Sequence, residues 1–227
     1  MASRSHNIVI MSNVWYIIPA RKGSKGMPLK NRKLLQFTVD TIPIEKRKSV
    51  IVTSNDLQIE QQVKRHKMVF HNRSEQLSSD TASTRDVLLD VIDKHQIPKN
   101  DIVVLLYLTY PSRTWHDIQR GVDTLTNSSG KSLLCKKQLD NSPYLMMFDT
   151  LDGKGRKIID HDFCRRQDYS PCFLMSHFVG VFYASEVSQL DTNLWNRDTI
   201  FMPISNKIDV DYQEDLRQYL AEKKDES

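Results

Sequence analysis

The sequence is poor in the residues that build extended or cross-linked proteins. Seven glycines and eight prolines in 227 residues exclude a fibrous chain, and a content 39% hydrophobic and 26% charged is that of a globular one. Three cysteines, Cys135, Cys164 and Cys172, form an odd set without a C-x-x-C pair, which argues against a disulfide scaffold and for a reducing, cytoplasmic setting. No apolar run exceeds the seven residues of 102–108, far short of the roughly 20 that a membrane span needs. The first 12 residues hold no apolar segment ahead of a small-residue cleavage site, so no secretory signal is read. They are expected to be a leader to one domain at 13–227.

Two chemistries are missing as well. No G-x-S-x-G elbow or Cys-His signature points to a hydrolase. His161, Cys164, Cys172 and His177 fall close together, but without the paired short knuckles of a zinc site, and Arg165-Arg166-Gln167-Asp168 runs through them. The net charge of +4 favours anionic partners without demanding nucleic acid.

What is present is alternation. Val14–Pro19 reads as a buried strand feeding a turn, 31–41 as a helix, 49–53 as a strand and 56–66 as a helix. Residues 68–71 follow as a strand, 81–95 as the clearest helix, 102–107 as a near-continuous apolar strand and 114–125 as a helix. Strands apolar on both faces, alternating with helices, predict an α/β fold with a parallel sheet covered on each side. Beyond 127 the pattern shortens to strand candidates at 132–135, 144–148, 180–183 and 200–204, and an amphipathic helix at 212–223 closes the chain.

The turn after the first strand carries the most chemistry. Arg21, Lys22, Lys25, Lys30, Arg32 and Lys33 place six cations between residues 21 and 33, with Gly23 and Gly26 and no acid. Glycines let backbone N–H groups approach phosphate oxygens while the cations neutralise them, so the segment suits a triphosphate. It is neither a P-loop nor a dinucleotide fingerprint, and on these grounds alone it reads equally as a solvated basic loop or a nucleic-acid patch. No aromatic is interleaved with the cations, which weighs against nucleic acid.

The run Ile-Pro-Ala-Arg-Lys-Gly-Ser-Lys-Gly-Met-Pro-Leu-Lys-Asn at 18–31 resembles the amino-terminal signature of the acylneuraminate cytidylyltransferases, the CMP-sialic acid synthetases. That resemblance implies a Rossmann-like domain of the nucleotide-diphospho-sugar transferase kind, with a small dimerisation extension. It implies transfer of CMP from CTP to the anomeric hydroxyl of an acidic nine-carbon sugar, with release of pyrophosphate. The partners implied are CTP, the sugar and a second copy of the chain, with no nucleic acid and no membrane. Arg21, Lys25 and Lys30 would hold the triphosphate, supported by Gly23, Ser24 and Asn31. The related 3-deoxy-manno-octulosonate enzymes usually carry Arg where Gly26 stands, which favours the sialate branch.

Residues 73–83, Arg-Ser-Glu-Gln-Leu-Ser-Ser-Asp-Thr-Ala-Ser, are similar to a second family segment, which implies nucleotide contacts from Arg73 and Ser83. Asp80 or Ser79 is expected to N-cap the following helix. Residues 105–114 resemble the family's Leu-Leu-Gln-Pro-Thr-Ser-Pro-Leu-Arg-Thr, with Arg113 matching and Tyr107 standing at the Gln associated with the sugar. Leu145 stands where several sialate-specific members carry Lys, and Arg166 with Gln167 matches an Arg-Gln pair able to bind a carboxylate in its place. Val179 replaces an Asn. These departures gather on the sugar side, which implies a retained reaction with an altered acceptor pocket, other nonulosonates included.

Residues 208–216, Ile-Asp-Val-Asp-Tyr-Gln-Glu-Asp-Leu, resemble the family's Ile-Asp-Ile-Asp-Thr-x-x-Asp-Leu. On a strand Asp209 and Asp211 would share one face, and two hard oxygen donors suit Mg²⁺. Asp211 with Glu214 also reads as a capping-box variant that opens the last helix.

Overall fold

The computed structural model describes residues 12–23, 26–139, 141–205 and 207–225. From the amino end, β1 (Val14–Pro19) leads through the basic loop into α1 (Lys30–Thr41), then β2 (Val50–Ser54), α2 (Leu57–Arg65), β3 (Val69–Asn72), the single turn α3 (Glu75–Ser78) and α4 (Thr84–Lys94). β4 (Ile102–Leu105) and α5 (Trp115–Thr126) follow. The second half adds β5 (Ser132–Gln138), the hairpin strands β6 (Met147–Asp149) and β7 (Gly155–Lys157), β8 (Phe173–Tyr183), β9 (Thr199–Pro203) and α6 (Gln213–Asp225).

One seven-stranded sheet runs in the order β3-β2-β1-β4-β8-β5-β9. β8 pairs antiparallel with β4 and β5, and the other neighbours pair parallel. The pleat sends alternate residues to opposite cores. Tyr16 and Ile18, Val50 and Val52, and Ile102 and Val104 pack with Leu34, Leu35, Val63, Ile118 and Tyr219 from α1, α2, α5 and α6. Ile17, Ile51, Val103 and Leu105 pack on the other face with Leu88 and Val91 of α4 and with Val187 and Leu190. The doubly covered sheet is therefore the physical reason that these strands read as unbroken apolar runs.

The structure departs from the expected elements in several places, and the strand expected at 180–183 begins at Phe173. The helix expected from residue 81 starts at Thr84, because Ser83 caps it by accepting the Asp86 N–H at 3.1 Å. Asp80 is an ion-pair partner instead, and Ser79 bonds Thr81. The strand at 102–107 ends at Leu105. The segment 144–148 is a 3₁₀ turn, Pro143–Leu145, followed by β6, which pairs with β7 in a separate exposed two-stranded sheet. This hairpin belongs to a satellite cluster in which Tyr144 and Tyr169 stack at 4.7 Å, with His161 and Phe163 against them. Residues 207–211 are irregular rather than a strand. No helix among the described residues is long and apolar enough to cross a membrane.

Candidate functional site

The basic loop is tied down on both flanks. Ala20 N–H donates to the Thr53 carbonyl at 2.9 Å, and the Asn31 side chain donates to the Arg21 carbonyl at 2.8 Å. Its two glycines meet different needs. Gly23 sits at φ +82° with open space where a Cβ would be, so it answers a backbone requirement. Gly26 answers a steric one: a Cβ there would overlap the Asp211 carbonyl oxygen and stand 3.3 Å from its carbon. The loop thus closes onto residues 209–212, which are anchored by buried Val210 and its N–H bond to the Thr109 carbonyl at 2.7 Å. Leu29 enters α1 at φ 58°, without a side-chain cap and without an acid in the first turn. The positive end of the helix dipole is left uncompensated beside the loop.

Arg21, Gly26, Lys30, Arg73, Tyr107 and Asp211 line a cavity of about 450 Å³. It lies outside the carboxyl ends of β1 and β4, since Pro19, Leu108 and Thr109 also border it. From β1 the chain builds outward to β2 and β3, while β4 lies on the other side of β1, so this crevice is the switch point of the sheet. A larger cavity, about 630 Å³, contains none of the loop. Position and charge rather than size select the smaller one.

Its charges hold one another in place. Arg21 Nη1 donates to Asp80 Oδ1 at 2.8 Å and to the Ser78 carbonyl at 3.2 Å. Lys30 Nζ lies 2.8 Å from Asp211 Oδ1, with the lysine side chain 12% exposed and the aspartate 60%. Arg73 is buried and donates through Nε and Nη2 to the Leu77 carbonyl. Burial first, and then the charge of Arg21, bring its pKa down to about 10, so it stays cationic at neutral pH. Tyr107 donates its hydroxyl to Thr84 Oγ1 at 2.6 Å and meets the His177 ring edge-on at 5.8 Å; burial raises its pKa. A polyphosphate entering here could take over Arg21 and Lys30 from their exposed carboxylates.

The cytidylyltransferase family model matches residues 15–149, more than half of the chain. The chain belongs to the cytidylyltransferase family. Similar proteins include the N-acylneuraminate cytidylyltransferases of Streptococcus agalactiae serotypes III and Ia, each 30% identical over 172 residues covering 69% of this chain and 40% of theirs. The chain therefore spans about two fifths of the length of these curated relatives. Among solved structures, a CMP:2-keto-3-deoxy-manno-octonic acid synthetase complexed with CTP superposes with a TM-score of 0.66 at 15% identity, over 95% of this chain and 100% of that one. A 4-diphosphocytidyl-2C-methyl-D-erythritol synthase from Anaerococcus prevotii superposes at 0.59 and 16% identity, over 92% and 99%. These two show the shared fold.

In this chain, Arg21, Lys30, Asn31, Arg73, Tyr107 and Asp211 line the cavity. Ser24 and Lys25 lie outside the described residues. Gly23 is exposed on the loop, and Ser83 spends its hydroxyl on the α4 cap. Arg113 is only 3% exposed and donates to the Phe178 and Tyr107 carbonyls, within the fold rather than in this cavity. Arg166 and Gln167 sit on an exposed 3₁₀ turn of the satellite cluster, where Arg165 pairs with Asp168, and they do not reach the cavity.

The two aspartates part company. Asp209 Oδ2 accepts the Tyr110 hydroxyl at 2.8 Å and lines a separate 100 Å³ recess, while Asp211 faces Lys30. The cause is the irregular backbone, with Asp211 N–H turned back to the Asp209 carbonyl at 3.1 Å, so strand alternation does not apply. The carboxylate at the start of α6 is Asp215 rather than Glu214: it accepts the Asp211 and Tyr212 N–H groups at 2.9 and 2.7 Å. Among the described residues no group of three or more His, Cys, Asp or Glu is placed to hold a metal. Thr84, the Asp80 partnership and the steric role of Gly26 carry no sequence signal, because each depends on a contact between distant segments.

Proposed function

We propose that the chain transfers CMP from CTP to the anomeric hydroxyl of an acidic nine-carbon sugar, releasing pyrophosphate. The observation that carries this reading is the closure of the glycine-bearing basic loop, with Arg21 and Lys30, onto Asp211 at the sheet's switch point. The sugar hydroxyl gives up its proton to solvent and attacks the α-phosphorus in line, an oxygen–phosphorus bond forms, and the bridging bond to the β-phosphate breaks as pyrophosphate departs. Arg21, Lys30 and Arg73 neutralise and position the triphosphate, aided by the uncapped end of α1. Asp211 fits Mg²⁺ in the mode that uses one protein carboxylate with phosphate oxygens, whereas Asp209 is committed to Tyr110. When bound, the ion would neutralise charge on the phosphates. Tyr107, backed by Thr84 and His177, shapes the acceptor end.

The 30% identity to the streptococcal N-acylneuraminate enzymes supports a nonulosonate acceptor. Exposed Met147, Phe148 and Leu151 on the hairpin support a homodimer through that element. Pyrophosphate release should be assayed with CTP, Mg²⁺ and a panel of nonulosonic acids plus 3-deoxy-manno-octulosonate. Turnover with a nonulosonate, and CTP binding at least tenfold weaker in Lys30→Ala, are expected. Silence across the panel with CTP binding intact would sink the catalytic reading; preference for the octulosonate would replace the acceptor alone.

A further inference from the structure

The 630 Å³ cavity lies between residues 111–114, residues 207–208 and α6, and shares no lining residue with the nucleotide cavity. Ser112, Arg113, Lys207, Glu222 and Lys223 carry its chemistry. Arg113 is a buried cation whose Nη1 and Nη2 donate to carbonyls at 2.8 and 2.9 Å, and whose Nε has no hydrogen-bond partner. No carboxylate pairs with it among the described residues. Burial brings its pKa down to about 10, so it keeps its charge at neutral pH. The Ser112 hydroxyl is also buried without a partner.

Orphaned buried donors are costly, and a native fold keeps them where a ligand or water completes the set. Arg113, Lys207 and Lys223 line the cavity with Glu222 as the one carboxylate of its lining, and Asp40 borders an adjoining recess that Arg113 and Lys223 also line. A mostly basic lining over two buried donors without partners suits a phosphoryl group. The cation of Lys207 lies over the Phe178 ring at 5.9 Å and that of Lys223 over Phe37 at 5.8 Å, and both side chains border the cavity.

We infer that this cavity is a second anion site that takes a phosphoryl group, with Arg113 and Ser112 as its floor and Lys207 and Lys223 as its rim. The site is independent of the nucleotidyl-transfer reading, because it uses none of that cavity's residues.

Isothermal titration of the full chain, presaturated with CTP, with inorganic phosphate and in parallel with a hexose 6-phosphate, tests it. One equivalent should bind beyond the nucleotide. Tighter binding of the ester assigns a sugar phosphate, and equal binding assigns the phosphoryl group alone. Arg113 carries the fold, so the variants are Lys207→Ala with Lys223→Ala, and Ser112→Ala. The lysine pair should weaken binding at least tenfold. Ser112→Ala should weaken it about threefold while leaving the melting temperature equal or higher, a combination a merely structural serine would not produce. No heat with either anion, heat abolished by CTP, or affinity unchanged in the lysine pair overturns the site.

Discussion

Gly26→Ala places one methyl group where the loop meets residues 209–212. The new Cβ would overlap the Asp211 carbonyl oxygen, lie 3.3 Å from its carbon and lie 3.4 Å from the Tyr212 ring. The obstacle is backbone, so no rotamer change relieves it. Either the loop lifts or the segment moves, and the segment is held by buried Val210 and by the bond to Thr109. Overpacking of this kind costs about 1–3 kcal/mol. The Lys30–Asp211 pair spans the same seam, so CTP affinity should fall roughly tenfold, equivalent to about 1.4 kcal/mol. Gly23 is the control. Its positive φ makes Gly23→Ala cost about 1–2 kcal/mol through the backbone alone, while Gly23→Asn, which tolerates that region, should cost less. Urea denaturation and titration of CTP separate the two glycines. Gly26→Ala with parental stability and parental CTP affinity would refute the steric argument.

Asp56 holds Arg32 through both carboxylate oxygens, at 2.6 and 2.9 Å, and caps α2 through the Gln58 N–H. Asp56→Ala should therefore destabilise by about 2–4 kcal/mol in urea, and a loss under 0.5 would contradict the pairing. His71, buried on β3, contacts His95 at 3.1 Å and Asp90 at 2.9 Å, and burial depresses the pKa of both histidines below 6.5. The unfolded chain thus binds protons before the native one does. Their contribution to stability is complete above pH 6.5 and is lost as pH falls through the depressed values, so His71→Gln should flatten stability measured between pH 5 and 7. Met147→Asp with Phe148→Asp on the exposed hairpin should give a monomer by sedimentation with an unchanged melting temperature; a persisting dimer would move the interface elsewhere.

The arrangement of α/β layers was legible because buried strands and amphipathic helices write their periodicity locally. Tyr16 and Ile17 already announce two faces, and the sheet uses both. The basic loop was legible for a similar reason: its cations and glycines lie within a few positions of one another. Even there, sequence could not divide the labour, and Arg32 turns to Asp56 while Arg21 and Lys30 reach the cavity.

Contacts between distant segments were decided only by tertiary structure. Asp209 and Asp211 would share a face on a strand, but the irregular chain sends one to Tyr110 and the other to Lys30. Arg113, which sequence places beside a substrate, is buried beneath a second cavity that no motif announces. Which side chains face each other across the fold is a property of where separate segments meet, and local spacing does not encode that meeting.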